Sequence, residues 1–131
     1  MRSKEKVDLF FERAQSFLKG AYERFKDRDW DIACFMAEQS VHLHLKALIL
    51  EKTGDFPKTH SIKGLFGILY NLSKDDRFKY DRQNLRFLEA AYFNVRYFTI
   101  SCDKKDAEDA LKIVEEVQKL VGSIRSDKEK K

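Results

Sequence analysis

The chain has no apolar run long enough to cross a membrane and no apolar leader at its beginning. In its 131 residues no apolar stretch reaches the roughly 18 residues that a membrane-spanning helix needs. The first residues pass directly from Arg2 into an amphipathic pattern, without the apolar segment of a signal peptide. These absences predict a soluble, cytoplasmic protein with no membrane association.

Cysteine and glycine are also scarce, and their positions exclude several kinds of site. Cys34 and Cys102 lack the spacing of metal ligands, so we expect small buried side chains at both positions. The five glycines match no phosphate-binding loop, and no Gly-x-Ser-x-Gly segment indicates a serine nucleophile. His42 and His44 lie about 200° apart around a helix axis, so they cannot share one ion. We therefore predict no metal site and no cofactor.

What the chain does contain is a helical repeat of apolar residues from one end to the other. Apolar side chains recur at intervals of three and four residues, and no segment alternates as a strand does. Asp29 and Asp103 are predicted to cap the second and fifth helices, and Gly54 to end the second. The pattern predicts an all-α, antiparallel up-and-down bundle of four long helices and one short helix. We expect a single domain over residues 1–125 and a charged, frayed tail over residues 126–131.

The second predicted helix is apolar almost all the way round between Trp30 and Leu50. Such a helix is normally covered by neighbouring elements on most sides. Its few polar residues fall into one narrow sector, which either faces water or lines a cleft. We call this sector the polar stripe, and it consists of Asp31, Glu38, His42 and Lys46, with the apolar Phe35 among them.

The fourth predicted helix carries an arginine at the border of its apolar face. Arg96 projects about 40° around the axis from Tyr92. An arginine in this position is either the ion-pair partner of a carboxylate such as Glu38 or a phosphate ligand in a cleft. The net charge of +4, with basic and acidic residues interleaved, permits contact with nucleic acid but does not demand it.

Three segments together resemble the HEPN domain family. The segment from Trp30 to Leu48 looks like the signature helix of these domains, and Pro57 to Leu65 is similar to the family's Thr-His-(Asp/Ser) approach to the next helix. The segment Tyr92 to Tyr97 resembles its Tyr-x-x-x-Arg-Tyr element. The resemblance implies an all-α bundle, commonly a homodimer, with a role around nucleotides or RNA. Many such prokaryotic proteins partner a minimal nucleotidyltransferase in two-gene modules of the toxin–antitoxin kind.

The resemblance is weaker for catalysis than for fold. Active HEPN ribonucleases carry an arginine and, four to six residues after it, a histidine, and the two elements meet across the dimer to cleave RNA without metal. Arg96 matches the arginine, but Ser101, Cys102 and Asp103 stand where the histidine would fall. Metal-independent cleavage needs groups that exchange protons with the 2′-hydroxyl and the leaving oxygen. The missing histidine therefore argues against ribonuclease activity.

Three functions remain open from the sequence. The first is a HEPN-like protein that binds a nucleotide or RNA as the non-catalytic or weakly catalytic partner of a minimal nucleotidyltransferase. The second is a metal-independent ribonuclease that uses Arg96, and the third is a purely structural dimerisation module. Arg96 is the catalytic candidate if there is one, and the candidate ligand-binding residues are Arg96, Glu38, His42, Lys46, Tyr92, Tyr97 and His60.

Overall fold

The computed structural model describes the backbone of residues 3–59, 61–97 and 101–129, and the side chains of residues 4–59, 61–81, 83–90 and 101–127. Over these ranges the chain is helical and contains no strand, which confirms the predicted all-α bundle of four long helices and one short helix. None of the helices, as far as they are described, is long and apolar enough to cross a membrane. The elements in chain order are α1 (Ser3–Lys26), α2 (Trp30–Thr53), α3 (Ile62–Ser73), a 3-10 turn (Asp76–Phe78), α4 (Arg82–Tyr97) and α5 (Lys104–Glu129).

Helix α2 lies at the centre of the bundle and contacts each of the other four helices. This position follows from its sequence, because a helix with apolar side chains on every side is most stable when neighbouring helices cover it. Val41, Leu45 and Leu48 are buried almost completely on α2. Burial of each such side chain contributes about 1.5–3 kcal/mol to folding. Every other helix is therefore positioned against α2.

The helix ends follow the predicted signals with one difference. Gly54 ends α2 in the left-handed region at φ 79°, and its N–H donates to the last turn. Asp103 caps α5, because its Oδ1 accepts from the N–H of Asp106 at 2.8 Å. Asp29 precedes α2 as predicted, but within the described residues its side chain makes no capping hydrogen bond. Its carboxylate lies 3.6 Å from the guanidinium of Arg24 instead, which holds it away from the helix N-terminus.

Helix α5 continues beyond the point where the sequence predicted a frayed tail. It runs to Glu129, and the Asp127 carboxylate accepts from the Arg77 guanidinium at 3.0 Å. Arg77 also binds Asp75 at 2.7 Å, so the turn that follows α3 is joined to the last turns of α5. The division into a domain over residues 1–125 and a tail over residues 126–131 stays a prediction.

Candidate functional site

The centre of the polar stripe on α2 is buried. Glu38 is fully inaccessible to solvent and His42 is 8% exposed, while Asp31 and Lys46 are half-buried. Of the two alternatives that the sequence left open, a stripe facing water is therefore wrong for Glu38 and His42. A carboxylate inside a helical bundle is costly unless other groups hydrogen-bond to it, so its partners decide what it does.

Glu38 is held by two neighbours on its own helix. The Nε2 of His42, one turn further along, contacts Oε1 of Glu38. The Nε2 of Gln39 donates to Oε2 of the same carboxylate at 2.8 Å. Residues four apart on a helix share one face, so the contact with His42 is favoured by local geometry. Gln39 was not among the predicted site residues, since its amide reaches the carboxylate from the edge of the stripe.

Asp31, at the start of the stripe, binds the segment between α4 and α5. We call residues 101–103 the α4–α5 junction. The backbone N–H of Cys102 in this junction donates to Oδ1 of Asp31. The junction is thereby tied to the first turn of α2. No periodicity in the sequence predicts this contact, because its two residues are 71 positions apart.

Each residue of the α4–α5 junction has a described environment. Ser101 is exposed. Cys102 is half-buried against the hydrophobic core, and its side chain lies close to that of Cys34 on α2. Asp103 caps α5 and in turn donates its N–H to Oδ2 of Asp106 at 3.1 Å, so the two residues cap reciprocally. Cys102 and Asp103 are therefore engaged in contacts that hold the junction in place.

Four of the predicted site residues lie outside what the structure describes in full. Tyr92, Arg96 and Tyr97 lie on α4, and their side chains are outside the described residues. His60 is outside them altogether. At the level of helices, α4 packs directly against α2, so the helix that carries Arg96 neighbours the helix that carries the polar stripe. A contact between Glu38 and Arg96 stays a prediction.

A second polar cluster joins the beginning of α3 to α4. The Oε1 of Glu89 on α4 accepts from the Ser61 hydroxyl at 3.0 Å and from the backbone N–H of Lys63 at 3.1 Å. Ser61 Oγ in turn accepts from the N–H of Gly64, and Thr59 Oγ1 accepts from the N–H of Ser61. The Thr-x-Ser segment is thus a helix cap shared with α4. Sequence reasoning missed the role of Glu89, which lies 28 residues from Ser61.

His44 lies on a different side of α2 and is not part of the stripe. Its Nδ1 donates to the backbone oxygen of Ser40 at 2.8 Å, and its ring centroid lies 6.3 Å from that of Phe11 on α1. The remaining ring nitrogen, Nε2, is buried without a hydrogen-bond partner among the described residues. Burial lowers the pKa of His44, while the hydrogen bond to Ser40 opposes this shift. The ring is therefore neutral near pH 7.

Comparison with known proteins identifies the fold and the family. A family model described as HEPN domain matches residues 7–125. The chain belongs to the HEPN family. Its structure is similar to the crystal structure of TT1696 from Thermus thermophilus, with a TM-score of 0.74 and 24% identity over 90% of this chain and 97% of that one. It is also similar to ST0689, an archaeal HEPN homologue, with a TM-score of 0.67 and 21% identity over 89% of this chain and 95% of the other. No curated protein matches the chain.

Membership of the HEPN family confirms the resemblance drawn from the three sequence segments. The resemblance puts the histidine of active HEPN ribonucleases in the α4–α5 junction, and that placement stays a prediction. In this HEPN chain the same positions hold an exposed serine, a cysteine packed on α2 and an aspartate that caps a helix. None of these side chains is a histidine.

Proposed function

We propose that this HEPN protein binds a nucleotide or RNA without efficient cleavage. The observation that carries the proposal is the structure of the α4–α5 junction. Cys102 and Asp103 are engaged in contacts with Cys34 and with the N-terminus of α5. Two of the three positions where the resemblance would put a histidine thus serve the packing of the helices.

The chemistry of RNA cleavage explains why the missing histidine matters. Cleavage without a metal needs one group to accept the proton of the 2′-hydroxyl and another to protonate the leaving oxygen. An arginine such as Arg96 stabilises negative charge on a phosphorus centre but does not exchange protons near neutral pH. The α4–α5 junction offers an exposed serine, a half-buried cysteine and a capping aspartate in place of the histidine. A ligand phosphate is therefore bound but not turned over efficiently.

The proposed ligand-binding residues lie on α2 and α4. Arg96 supplies the positive charge, with Tyr92 and Tyr97 beside it on the same helix. Support comes from the packing of α4 on α2 and from the burial of Glu38 and His42 on the helix it faces. A bidentate guanidinium is the side chain best suited to a phosphate group. Lys46 and His60 complete the set of candidates.

Binding is tested with fluorescein-labelled single-stranded RNA and, separately, with ATP at low ionic strength. We expect the wild type to bind and Arg96→Ala to lose about tenfold or more in affinity, because one charge-assisted contact is removed. Arg13→Ala is the matched control, since it removes the same charge from an exposed position on α1. Equal affinities of the two variants, or no binding by the wild type, would contradict the proposal.

Cleavage is tested in the same preparation by incubating labelled RNA with excess protein in EDTA. We expect the RNA to remain intact. Cleavage that disappears in Arg96→Ala would instead establish the metal-independent ribonuclease. Unchanged RNA combined with no detectable binding, and a loss of folding stability in Arg96→Ala, would favour the structural dimerisation module.

The partners belong to the same proposal and follow from the family resemblance. We propose a homodimer that also binds a minimal nucleotidyltransferase, as in modules of the toxin–antitoxin kind. Light scattering on the eluting protein distinguishes a dimer from a monomer of 15.5 kDa. Co-expression with a nucleotidyltransferase encoded next to this gene, followed by affinity capture, tests the heterologous partner. A monomer that captures no such enzyme would remove this part of the proposal.

A further inference from the structure

The only two cysteines of the chain are brought together by the fold. Cys34 lies on α2 and is completely buried, whereas Cys102 lies in the α4–α5 junction and is half-buried against the same core. The two thiols lie close enough for each to influence the pKa of the other, and both are free. Two cysteines far apart in sequence are therefore neighbours without a covalent bond between them.

A separate contact fixes this arrangement. The carboxylate of Asp31 accepts the backbone N–H of Cys102. Asp31 lies three residues before Cys34, so the two side chains share one face of α2. The residue that follows, Asp103, precedes α5 and caps it. The backbone N–H of Cys102 is therefore held against the first turn of α2, three residues before Cys34.

The two thiols differ in reactivity. Cys102 is partly accessible, and the hydrogen bond from Cys34 lowers its pKa, although burial opposes this shift. Cys34 is inaccessible, and the same hydrogen bond together with burial raises its pKa well above the usual range. Because the thiolate is the nucleophile, an oxidant that enters from solvent reacts first with Cys102. Cys34 is then the second thiol, which reacts with the oxidised Cys102.

We propose that Cys34 and Cys102 form a redox-sensitive pair that closes to an intrachain disulfide when the protein meets hydrogen peroxide. In the first step the Cys102 sulfur attacks one peroxide oxygen, the O–O bond breaks, and a sulfenic acid and one water form. In the second step the Cys34 sulfur attacks the sulfenic sulfur, the S–O bond breaks and a second water leaves with the Cys34 proton. Two thiols are thereby oxidised by two electrons, and one peroxide is reduced to two waters.

A metal site is the other chemistry that paired cysteines suggest, and the surroundings argue against it. Over the ranges whose side chains are described, no three histidine, cysteine, aspartate or glutamate side chains are grouped to hold an ion. A structural zinc site requires four such ligands. The disulfide would link the start of α2 to the segment that follows α4. This inference does not rest on the proposed RNA binding, because its readout is the number of free thiols.

The experiment counts thiols in the wild-type protein. The reduced protein is treated with hydrogen peroxide, freed of the oxidant, unfolded in denaturant with iodoacetamide and weighed by mass spectrometry. We expect the mass of a monomer that has lost two hydrogens and carries no alkyl group, and dithiothreitol should restore two alkylation sites. Since the chain has only two cysteines, an intrachain disulfide must join these two. Two alkylated cysteines after treatment, or a covalent dimer on a non-reducing gel, would overturn the proposal.

Single variants test the order of the two steps. In Cys34→Ala the sulfenic acid at Cys102 should persist and be trapped by dimedone. In Cys102→Ser the remaining buried thiol should react at least about tenfold more slowly than Cys102 does in Cys34→Ala. Cys34→Ser provides a second replacement if the alanine variant does not fold. Faster oxidation of Cys34 than of Cys102 would refute the assigned order, while the thiol count on the wild type tests the disulfide without any variant.

Discussion

The unpartnered ring nitrogen of His44 makes the stability of the fold depend on pH. Burial lowers the pKa of this side chain in the folded state, whereas the unfolded chain titrates near about 6.5. Between these two pKa values the unfolded state binds more protons than the folded state. We therefore expect the free energy of unfolding to fall as the pH drops below about 6.5, by at most about 1.4 kcal/mol per pH unit, and to level off below the folded pKa.

The measurement is urea unfolding of the wild type and of His44→Phe at pH 7 and at pH 5. Both pH values lie above the range in which most carboxylates titrate. Phenylalanine keeps a ring next to Phe11 but has no proton to bind. The variant should lose less stability than the wild type between the two pH values. Identical losses would show that His44 is not the source of the dependence.

Glu38 offers a second prediction at the scale of the residue. Its side chain is fully buried, contacts His42 through Oε1 and accepts a hydrogen bond from Gln39 through Oε2. Glu38→Ala should lower the free energy of unfolding by about 2–4 kcal/mol, because it leaves a cavity and removes the carboxylate that His42 and Gln39 contact. Gln39→Ala removes only one donor and should cost about 1 kcal/mol. Unfolding in urea, followed by circular dichroism, measures both.

A different outcome for Glu38 would change its role. If Glu38→Ala unfolds at the same urea concentration as the wild type but no longer binds labelled RNA, the carboxylate serves the ligand rather than the fold. If both stability and binding are lost, Glu38→Gln separates the two effects, since it keeps the shape of the side chain.

Individual residues also show which contacts a single sequence can predict and which it cannot. The shared face of Glu38 and His42 was predictable, because it follows from the local geometry of a helix. The contacts of Asp31 with Cys102 and of Glu89 with Ser61 were not, because each joins distant parts of the chain. Such contacts depend on how helices pack, and a single sequence carries no signal of that packing.

At the scale of the element, two glycines of α3 form a matched pair. A Cβ at Gly64 would lie 2.7 Å from Oγ1 of Thr59, whereas a Cβ at Gly67 would meet nothing within 4 Å. Gly67→Ala should stabilise the protein by about 0.5–1 kcal/mol through the helix propensity of alanine. Gly64→Ala should instead destabilise it by about 1 kcal/mol or more, because Thr59 is a stiff β-branched residue whose hydroxyl is bound to Ser61.

Thermal unfolding of the two variants beside the wild type measures both effects. The expected result is opposite shifts in Tm for the same substitution three residues apart. An equal rise in both would mean that Thr59 does not pack on Gly64, and the shared cap between α3 and α4 would then have to be revised.

Helix boundaries were predictable where the signal is chemical and local. Gly54 ends α2 because glycine adopts the left-handed conformation at little cost, and Asp103 begins α5 because its carboxylate accepts a free backbone N–H. Asp29 has the same chemistry but pairs with Arg24. Helix α5 runs to Glu129 and Asp127 is bound to Arg77, a residue 50 positions away, while the boundary between domain and tail stays a prediction.

At the scale of the whole molecule, the charge predicts how binding responds to salt. The chain carries a net charge of +4, and contacts with RNA phosphates release counterions. A plot of log K against log salt should fall with a slope of about −0.7 for each phosphate contact on single-stranded RNA. Arg96→Ala should make the slope shallower by about 0.7, and Arg13→Ala should leave it unchanged. Affinity that does not vary between low and high salt would contradict a phosphate ligand.

The central position of α2 has a consequence for how the molecule opens. Because α1, α3, α4 and α5 all rest on this helix, its backbone cannot reach water while any stable part of the bundle persists. Amide hydrogens in the middle of α2 should therefore exchange with deuterium only through global unfolding, and more slowly than those of any other element. Mass spectrometry of peptides from exchanged protein measures this, and faster exchange in α2 than in α1 would contradict it. The family's signature helix is then also the part of the chain that is last to open, so it sets the free energy of the whole cooperative unit.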